Sequence, residues 1–284
     1  MLQTAKIAER LGFRVLHGIV DSIWIKKEQK SSSDDDGNKI GVDDEKKAKE
    51  NGKADYLQLK EVIEQQTGFK VSFEGIYKWI AFINSKQIDI LPVPNRYFGA
   101  FEDGNKLKIR GIEARRHDTP IFFSKFQNEI LQVMATGNTI NEVIALMPKV
   151  KDTFKKYVMI LKERKVPLEQ LIFTKRLSKD YSEYQIKRNT VESTAINLLV
   201  NEGKSLKAGE LSRYIITDFY QRYSRIRAVP IELIDMQKAN TYDIRRYIEL
   251  LAETCNSVTA PFGYTLPLPH THHMGLRLSC IINT

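Results

Sequence analysis

A single carboxylate stands at the bend between two short apolar runs near the start of the chain. The runs cover residues 13–16 and 23–25, and Asp21 lies between them. Two such runs joined by a short bend predict a β-hairpin that holds Asp21 at the end of a sheet. A carboxylate held there can coordinate Mg²⁺ beside a phosphate. Asp is also a common turn-forming residue, and a two-metal site needs a second carboxylate from another element.

The segments on either side of this hairpin have contrasting compositions. Residues 5–11 predict a helix that Gly12 ends. Residues 28–55 are rich in Lys, Ser, Asp, Gly and Asn and contain only two aliphatic side chains larger than alanine. This composition predicts a flexible insertion. Asp55 is then the predicted N-cap of a helix that ends at Gly68.

Four β-rich segments follow that helix. They cover residues 70–73, 79–83, 97–101 and 106–110. The last two are joined across Asp103 and Gly104, a pair that favours a tight turn. The first 110 residues therefore predict a mixed structure with antiparallel strands.

The pattern changes to helices after residue 118. Thr119 is the predicted N-cap of a helix with a phenylalanine-rich face, and Pro120 is its predicted first residue. A second helix starts from Thr139 and is broken or kinked at Pro148. Two later helices are predicted over residues 191–202 and 242–258. The second half of the chain is therefore predicted to be mainly helical.

Positive charge is concentrated in the middle of the chain. The 284 residues carry a net charge of +9, and residues 105–188 hold 18 Lys or Arg against 9 Asp or Glu. This distribution favours a polyanionic partner, although a basic stretch is also compatible with an ordinary solvated helix face. The basic residues of the predicted helices and the segment after them are Lys149, Lys151, Lys155, Lys156, Lys162, Arg164, Lys165, Lys175 and Arg176.

The overall composition excludes several classes of protein. With 42% hydrophobic and 28% charged residues, the chain has the composition of a soluble globular protein of one large or two modest domains. No apolar run approaches the roughly 20 residues of a membrane span, and the start lacks an apolar signal core. Two cysteines are too few for a disulfide framework. We therefore expect a cytoplasmic protein with no membrane partner.

Three histidines near the end of the chain have the residue type of metal ligands. His270, His272 and His273 stand in a tail with two prolines and no nearby carboxylate, which favours a loop over a metal site. Trp24 and Trp79 stand in apolar segments and are predicted core residues.

Several ordered segments of the chain resemble the family B DNA polymerases. Residues 11–22, LGFRVLHGIVDS, are similar to the third polymerase motif, commonly Tyr-Gly-Asp-Thr-Asp-Ser after a helix that ends in Gly-Phe. The resemblance covers about residues 1–264 and is strongest to archaeal members. Further matching segments, in the family's order, are residues 73–79, 94–99, 110–118, 171–184, 203–216 and 242–264.

The resemblance implies an α+β fold with two parts. Residues 1–110 would be the C-terminal part of the catalytic palm, with antiparallel strands and the insertion at residues 28–55. Residues 111–264 would be the mainly helical thumb, which grips the primer–template duplex by its backbone. Residues 265–284 lie beyond the resemblance and are unassigned.

The resemblance also implies one metal ligand. Asp21 matches the second Asp of the motif, which in the family binds the two catalytic Mg²⁺ ions together with an Asp from an earlier motif. The neighbouring positions depart from the pattern: Ile19 replaces the first Asp, Val20 replaces Thr and His17 replaces Tyr. Ile19 removes a charge that would help to hold Mg²⁺.

The implied DNA contacts lie in both parts of the chain. The family's Lys-x-Tyr element, which touches the primer strand, corresponds to residues 95–97, where Asn95 replaces the Lys. The residues expected to contact DNA are Asn95, Arg96, Tyr97, Arg115, Arg116, Lys155, Lys156, Lys175 and Arg176.

Large parts of a polymerase have no counterpart in the resemblance. These are the palm motif with the other metal-binding Asp, the fingers that hold the deoxynucleoside triphosphate, and the exonuclease domain. We therefore expect the isolated chain not to polymerise DNA, and to act with a polypeptide that supplies those parts or as the end of a longer protein. The alternative is an inactivated fragment that only binds duplex DNA. Either function places the protein with the nucleoid.

Overall fold

A computed structural model describes residues 1–27, 42–85, 91–104, 106–180, 190–221, 226–234, 241–267 and 281–283. The helices of these regions are α1 (Leu2–Arg10), α2 (Val42–Thr67), α3 (Ile121–Ala135), α4 (Ile140–Ala145), α5 (Met147–Lys162), α6 (Val191–Asn201) and α7 (Ile244–Thr259). The strands are β1 (Phe13–Ile19), β2 (Ser22–Lys27), β3 (Tyr77–Asn84), β4 (Pro92–Phe101), β5 (Leu107–Arg110), β6 (Phe173–Arg176), β7 (Leu211–Ile216), β8 (Ala228–Pro230) and β9 (Ile281–Asn283).

The described strands form three sheets. Strands β1 and β2 make an antiparallel hairpin, the second sheet has the order β5-β4-β3-β9, and the third has the order β6-β7-β8. The pairings of β4 with β5, β6 with β7 and β7 with β8 are antiparallel. Helices and antiparallel strands occur in the same chain, so the predicted α+β class is confirmed.

One compact unit contains the first 78 residues and residues 101–104. Its small core consists of buried residues of α1, β1 and α2, which are Ile7, Ala8, Phe13, Leu59 and Ile63. The predicted helix before Gly12 and the predicted hairpin are confirmed. Gly68 follows the last residue of α2 with a φ of 72°, as predicted for a helix end.

Three predictions for this unit are wrong: the N-cap at Asp55, the flexible insertion over its later part, and the strand at residues 70–73. Helix α2 begins at Val42, so Asp55 is an internal helix residue that pairs with Lys27 rather than an N-cap. The later part of the predicted insertion is helical, and Lys, Ala and Glu, which are common there, are good helix formers. Residues 28–41 lie outside the described residues. Residues 70–73 form no strand, since Val71 donates its N–H to the Glu64 side chain at 2.7 Å instead of to a sheet.

The second unit contains residues 79–100 and 105–283. Its core joins the inward faces of β3 and β4 to α3, α5 and α7. Trp79 is fully buried and donates its indole N–H to the Gly137 carbonyl at 3.1 Å, so the prediction that it is a core residue is confirmed. The core of this unit is aromatic-rich, and aromatic side chains bury the largest apolar areas.

The helix starts of this unit differ slightly from the prediction. Helix α3 begins at Ile121 with Pro120 as its N-cap, one residue later than predicted, because Pro120 has an extended ψ of 142°. Thr139 caps α4 as predicted and accepts the N–H of Glu142. Pro148 lies in the first turn of α5, where its missing N–H costs no helical hydrogen bond.

The sheet β6-β7-β8 lies in the half of the chain that the sequence predicts as mainly helical. Its strands are only three to six residues long, and α6 packs against β7 and β8. Short strands with few alternating apolar residues give a weak sequence signal, so the prediction missed this sheet. Within the described part of the chain, no helix has the length and apolar character that crossing a membrane requires.

Candidate nucleic-acid interface

Asp21 lies in the two-residue turn of the β1–β2 hairpin, as predicted. Ile19 pairs with Ser22, so Val20 and Asp21 form the tip. The Asp21 side chain is exposed, and the Ser22 hydroxyl donates to its Oδ1 at 3.3 Å. Val20 is 89% exposed and has a φ of 36°, which is a strained conformation for a β-branched residue. The hairpin therefore presents Asp21 to solvent beside a strained neighbour.

Asp21 does not by itself make an Mg²⁺ site. Such sites use one or two carboxylates together with substrate phosphates and several waters. Among the described residues, no group of three or more His, Cys, Asp or Glu side chains is placed to hold a metal ion. The three tail histidines lie outside the described residues. Asp21 is therefore not part of a group of three or more such side chains in the described part of the chain.

The segment that corresponds to Lys-x-Tyr lies on β4. Asn95 is exposed, whereas the Tyr97 side chain is only 5% exposed and its ring lies 5.6 Å from that of Phe82. Arg96 donates its Nε–H to the Gly111 carbonyl at 3.2 Å and reaches Glu113 Oε1 at 3.8 Å. Of the three residues, Asn95 is exposed and Arg96 is half-buried, while the Tyr97 ring belongs to the protein core.

Gly111 brings the next basic segment against β4. Its φ is 66°, and a Cβ on it would lie 2.1 Å from the Asn95 carbonyl oxygen. Only glycine allows this approach, because it has no Cβ and tolerates a positive φ. The chain then makes a short 3-10 helix, Glu113–Arg115, that leads to Arg116. The tight turn at Gly111 thus places the segment that leads to Arg115 and Arg116 beside the Asn95–Arg96 backbone.

Asp118 joins two of the predicted DNA-contacting cations. Arg116 donates two hydrogen bonds to its carboxylate, at 2.8 and 2.6 Å, and the Lys175 ammonium lies 3.3 Å from Oδ2. The Arg116 hydrogen bonds, with a smaller contribution from Lys175, lower the pKa of Asp118 to about 2 despite its partial burial. Asp118 therefore stays ionised and holds both cations in place at neutral pH.

This arrangement predicts an acid-dependent loss of stability. The Asp118 carboxyl has a lower pKa in the folded state than its ordinary value of ~3.9. Its ionised form therefore adds its full share to the free energy of unfolding above pH ~5, and this share is lost as the pH falls towards ~2. We expect Asp118→Asn to lack this contribution. The difference in unfolding free energy between wild type and variant should then shrink by a few tenths to about 1 kcal/mol from pH 5 to pH 2.5, because the pair is partly exposed. Urea unfolding at both pH values measures it, and a constant difference would contradict it.

Arg96, Arg116 and Lys175 line one cavity of about 940 Å³ within the second unit. Phe173, Lys175 and Tyr214 lie on the face of the β6–β7 pair that borders this cavity. Arg176 lies on the opposite face by strand alternation and donates to the Gly209 carbonyl at 2.7 Å. The structure therefore separates Lys175 from Arg176, although the two are adjacent in the sequence.

The predicted cations of α5 are placed elsewhere. Lys155 pairs with Asp152 at 3.0 Å, and Lys156 pairs with Glu129 of α3 at 2.9 Å. Neither lysine is among the described residues that line the cavity. We therefore define the basic cluster as Arg96, Arg115, Arg116 and Lys175, of which Arg115 is an exposed neighbour of the cavity-lining residues.

The sequence analysis missed the acidic and amide side chains that hold this cluster. Glu113 pairs with Arg96, and Asp118 pairs with Arg116. Gln127, which lies on α3, donates to the Glu113 carboxylate at 2.8 Å. A signal for Gln127 was present, because it is an amide on a helix face formed by Phe123, Phe126 and Ile130. A polar residue within an apolar face has a buried hydrogen-bonding partner in most proteins.

Comparisons with known proteins identify the family of this chain. The model of DNA polymerase family B matches residues 3–261 of the chain. The chain is 26% identical over 264 residues to DNA polymerase 1 of Saccharolobus solfataricus, covering 92% of this chain and 25% of that polymerase. It is 29% identical over 182 residues to a DNA polymerase of Archaeoglobus fulgidus, covering 64% of this chain and 18% of that polymerase.

A solved structure gives the same fold. The family B DNA polymerase from the hyperthermophilic archaeon Pyrobaculum calidifontis matches with a TM-score of 0.55 and 23% identity, over 90% of this chain and 28% of that chain. The chain therefore spans between 18% and 28% of the length of these three relatives. The family model covers nearly the whole chain, so the protein belongs to DNA polymerase family B.

Proposed function

We propose that this chain is the C-terminal part of a DNA-directed DNA polymerase, or a small subunit of one, and that its role is to hold the primer–template duplex. The observation that carries the proposal is the basic cluster, three members of which line one cavity in a chain of the polymerase family. Residues 1–110 would act as the end of the palm and residues 111–264 as the thumb, in DNA replication or repair.

The basic cluster has the chemistry of a phosphate-binding surface. Guanidinium groups bind phosphate oxygens through paired N–H donors, and an ammonium binds them as a point charge. Glu113 holds Arg96, and Asp118 holds Arg116 and Lys175, before DNA binds. This lowers the side-chain entropy lost on binding. Such contacts are independent of base sequence, as a polymerase that copies any template requires.

The predicted DNA-contacting residues outside the basic cluster form a separate part of the proposal. Lys155, Lys156 and Arg176 would contact DNA farther along the duplex, while Asn95 and Tyr97 would lie near the primer strand. Lys155 and Lys156 do not line the cavity that three members of the basic cluster share, so we expect their contributions to duplex binding to be smaller.

Asp21 would supply one oxygen ligand to an Mg²⁺ site in the complete enzyme. A carboxylate is a preferred Mg²⁺ ligand, and the hairpin presents this one to solvent. The other carboxylates, and the groups that bind the deoxynucleoside triphosphate, would come from the remaining palm and fingers. These parts would belong to the same polypeptide or to a partner, and the intact mass of the native polypeptide that contains Asp21 distinguishes the two.

The alternative function is a duplex-binding module derived from an inactivated polymerase. Ile19 and Val20 favour it, since they replace the first Asp and the Thr of the motif that Asp21 belongs to. The two functions share duplex binding and differ in whether Asp21 is needed for DNA synthesis. Both would keep the protein with the nucleoid in the cytoplasm.

Neutralising the basic cluster tests the shared part of the proposal. We expect the triple variant Arg115→Gln, Arg116→Gln and Lys175→Gln to bind duplex DNA about tenfold more weakly or worse at moderate salt, and its log–log salt slope to fall by about 2 to 3. Fluorescence anisotropy with a labelled duplex, titrated with KCl, measures both quantities.

The matched control removes the same charge from the first unit. Lys6, Lys53 and Lys70 are exposed there, and their replacement by Gln also lowers the net charge by three. If both triple variants lose the same affinity, the effect comes from net charge and the basic cluster is not the binding surface. A wild-type affinity that does not fall with salt would contradict phosphate binding altogether.

A further inference from the structure

Gln127 is a fully buried amide in the core of the second unit. It lies on α3 with 0% of its surface exposed, between Phe123, Phe126 and Ile130 on the same helix face. Burying an amide is unfavourable unless its donors and acceptor find partners. The position of Gln127 therefore depends on the hydrogen bonds that it makes.

All the polar atoms of Gln127 face the turn that carries the basic residues or the helix behind it. Oε1 accepts the backbone N–H of Ala114 at 2.6 Å. Nε2 lies 2.8 Å from Glu113 Oε2, 2.9 Å from Ser257 Oγ and 3.1 Å from the Thr254 carbonyl oxygen. One side chain thus joins the 3-10 helix Glu113–Arg115 to α7.

This network extends to the cations of the basic cluster. The second carboxylate oxygen of Glu113 reaches Arg96 at 3.8 Å, and the Ser124 hydroxyl donates to the Glu113 carbonyl at 3.1 Å. Arg115 and Arg116 follow Ala114 directly in the chain. Fixing the Ala114 N–H and the Glu113 carboxylate therefore fixes the starting direction of both arginines and the partner of Arg96.

We infer that Gln127 is the positioning residue of the duplex-binding surface. It holds the turn at residues 113–115 so that Arg96, Arg115 and Arg116 face the DNA backbone, and it acts through these residues without touching DNA. This inference rests on the proposed function. A purely structural role for Gln127 predicts a loss of stability with unchanged DNA affinity of the folded protein.

The test separates these two roles by measuring duplex affinity per folded molecule. Gln127→Leu replaces the amide with an apolar side chain of similar size, which leaves the Ala114 N–H without its partner and removes one of the donors to the Glu113 carboxylate. We expect it to weaken duplex binding about five- to tenfold, within the range found for coupled residues. The matched control is Tyr242→Phe, which removes a different buried hydrogen bond of the same unit, 2.9 Å to the Leu161 carbonyl, and should bind DNA as wild type does.

A double-mutant cycle shows whether Gln127 acts through the arginines. In a background that carries Arg96→Gln, Arg115→Gln and Arg116→Gln, Gln127→Leu should weaken binding less than twofold further, because the residues that it positions no longer bind phosphate. Ser257→Ala is a milder variant that removes one partner of Gln127, and it should weaken binding in the same direction by about twofold. It serves as the second test if Gln127→Leu does not fold.

Each result has a distinct meaning. If folded Gln127→Leu and Ser257→Ala bind the duplex as wild type does, the inference is wrong and the proposed function stands. If Gln127→Leu weakens binding equally in both backgrounds, it does not act through Arg96, Arg115 and Arg116, and the inference is again wrong. If wild type shows no salt-dependent duplex binding, the proposed function itself fails.

Discussion

Gly111→Ala is expected to destabilise the second unit by about 2 to 5 kcal/mol. A left-handed φ costs a residue with a Cβ about 1 to 2 kcal/mol. The added Cβ would also lie 2.1 Å from the Asn95 carbonyl oxygen and 3.1 Å from Arg96 Cγ, so backbone must move. Overpacking of this kind costs about 1 to 3 kcal/mol more. Urea unfolding followed by circular dichroism measures the loss.

The same substitution should weaken DNA binding in the folded fraction. Moving Gly111 away from β4 breaks its hydrogen bond with Arg96 and shifts the start of the turn at residues 113–115. The members of the basic cluster then no longer share one surface. We expect a several-fold loss of duplex affinity at moderate salt, in the same anisotropy assay that measures the basic-cluster variants.

Gly104→Ala is the matched control for this prediction. Gly104 has nearly the same φ, 65°, but a Cβ on it would meet no atom within 4 Å. Its substitution should therefore cost only the conformational part, about 1 to 2 kcal/mol, and leave duplex affinity unchanged. Equal losses for the two variants would show that the close approach of Gly111 to Asn95 contributes nothing.

Asp21→Asn should lower the rate of primer extension by about a hundredfold or more in a complete polymerase that contains this chain. Asparagine keeps the size and turn preference of the residue but loses the negative charge of an Mg²⁺ ligand. Because Asp21 lies outside the basic cluster, duplex affinity should change less than twofold. Single-turnover extension of a labelled primer and a parallel anisotropy titration give the two values.

Ser22→Ala is the control for the hairpin tip. It removes the hydroxyl that donates to Asp21 at 3.3 Å and leaves the carboxylate in place, so extension should be little affected. If the Asp21→Asn variant also extends primers at the wild-type rate, Asp21 has no catalytic role. The altered motif, with Ile19 and Val20, would then be that of a duplex-binding module, and the alternative function would be correct.

Local features of the structure followed directly from local sequence signals. The hairpin with Asp21 at its tip follows from two apolar runs and a short bend, and the cap of α4 follows from Thr139 placed before an apolar helix face. The start of α2 was wrong by 14 residues, since a polar, lysine-rich segment has the same composition whether it is a solvated helix or a coil.

The family also followed from the sequence, because several ordered motifs define it better than any single residue does. The match over residues 3–261 confirms that prediction. The family resemblance likewise gave all four cations of the basic cluster, Arg96, Arg115, Arg116 and Lys175, as candidates for DNA contact. It did not show which of these cations lie on one surface.

Only the tertiary structure decided that question. Asp118 and Lys175 are 57 positions apart, and they meet because β6 packs beside the turn after β5. Adjacent Lys175 and Arg176 are separated because successive residues of a strand point to opposite faces. Gln127 reaches Ala114 and Thr254 only because α3 packs against both segments. The sequence by itself determined the family, the hairpin and the residue types, while long-range packing determined which charges act together, since that depends on contacts between segments far apart in the chain.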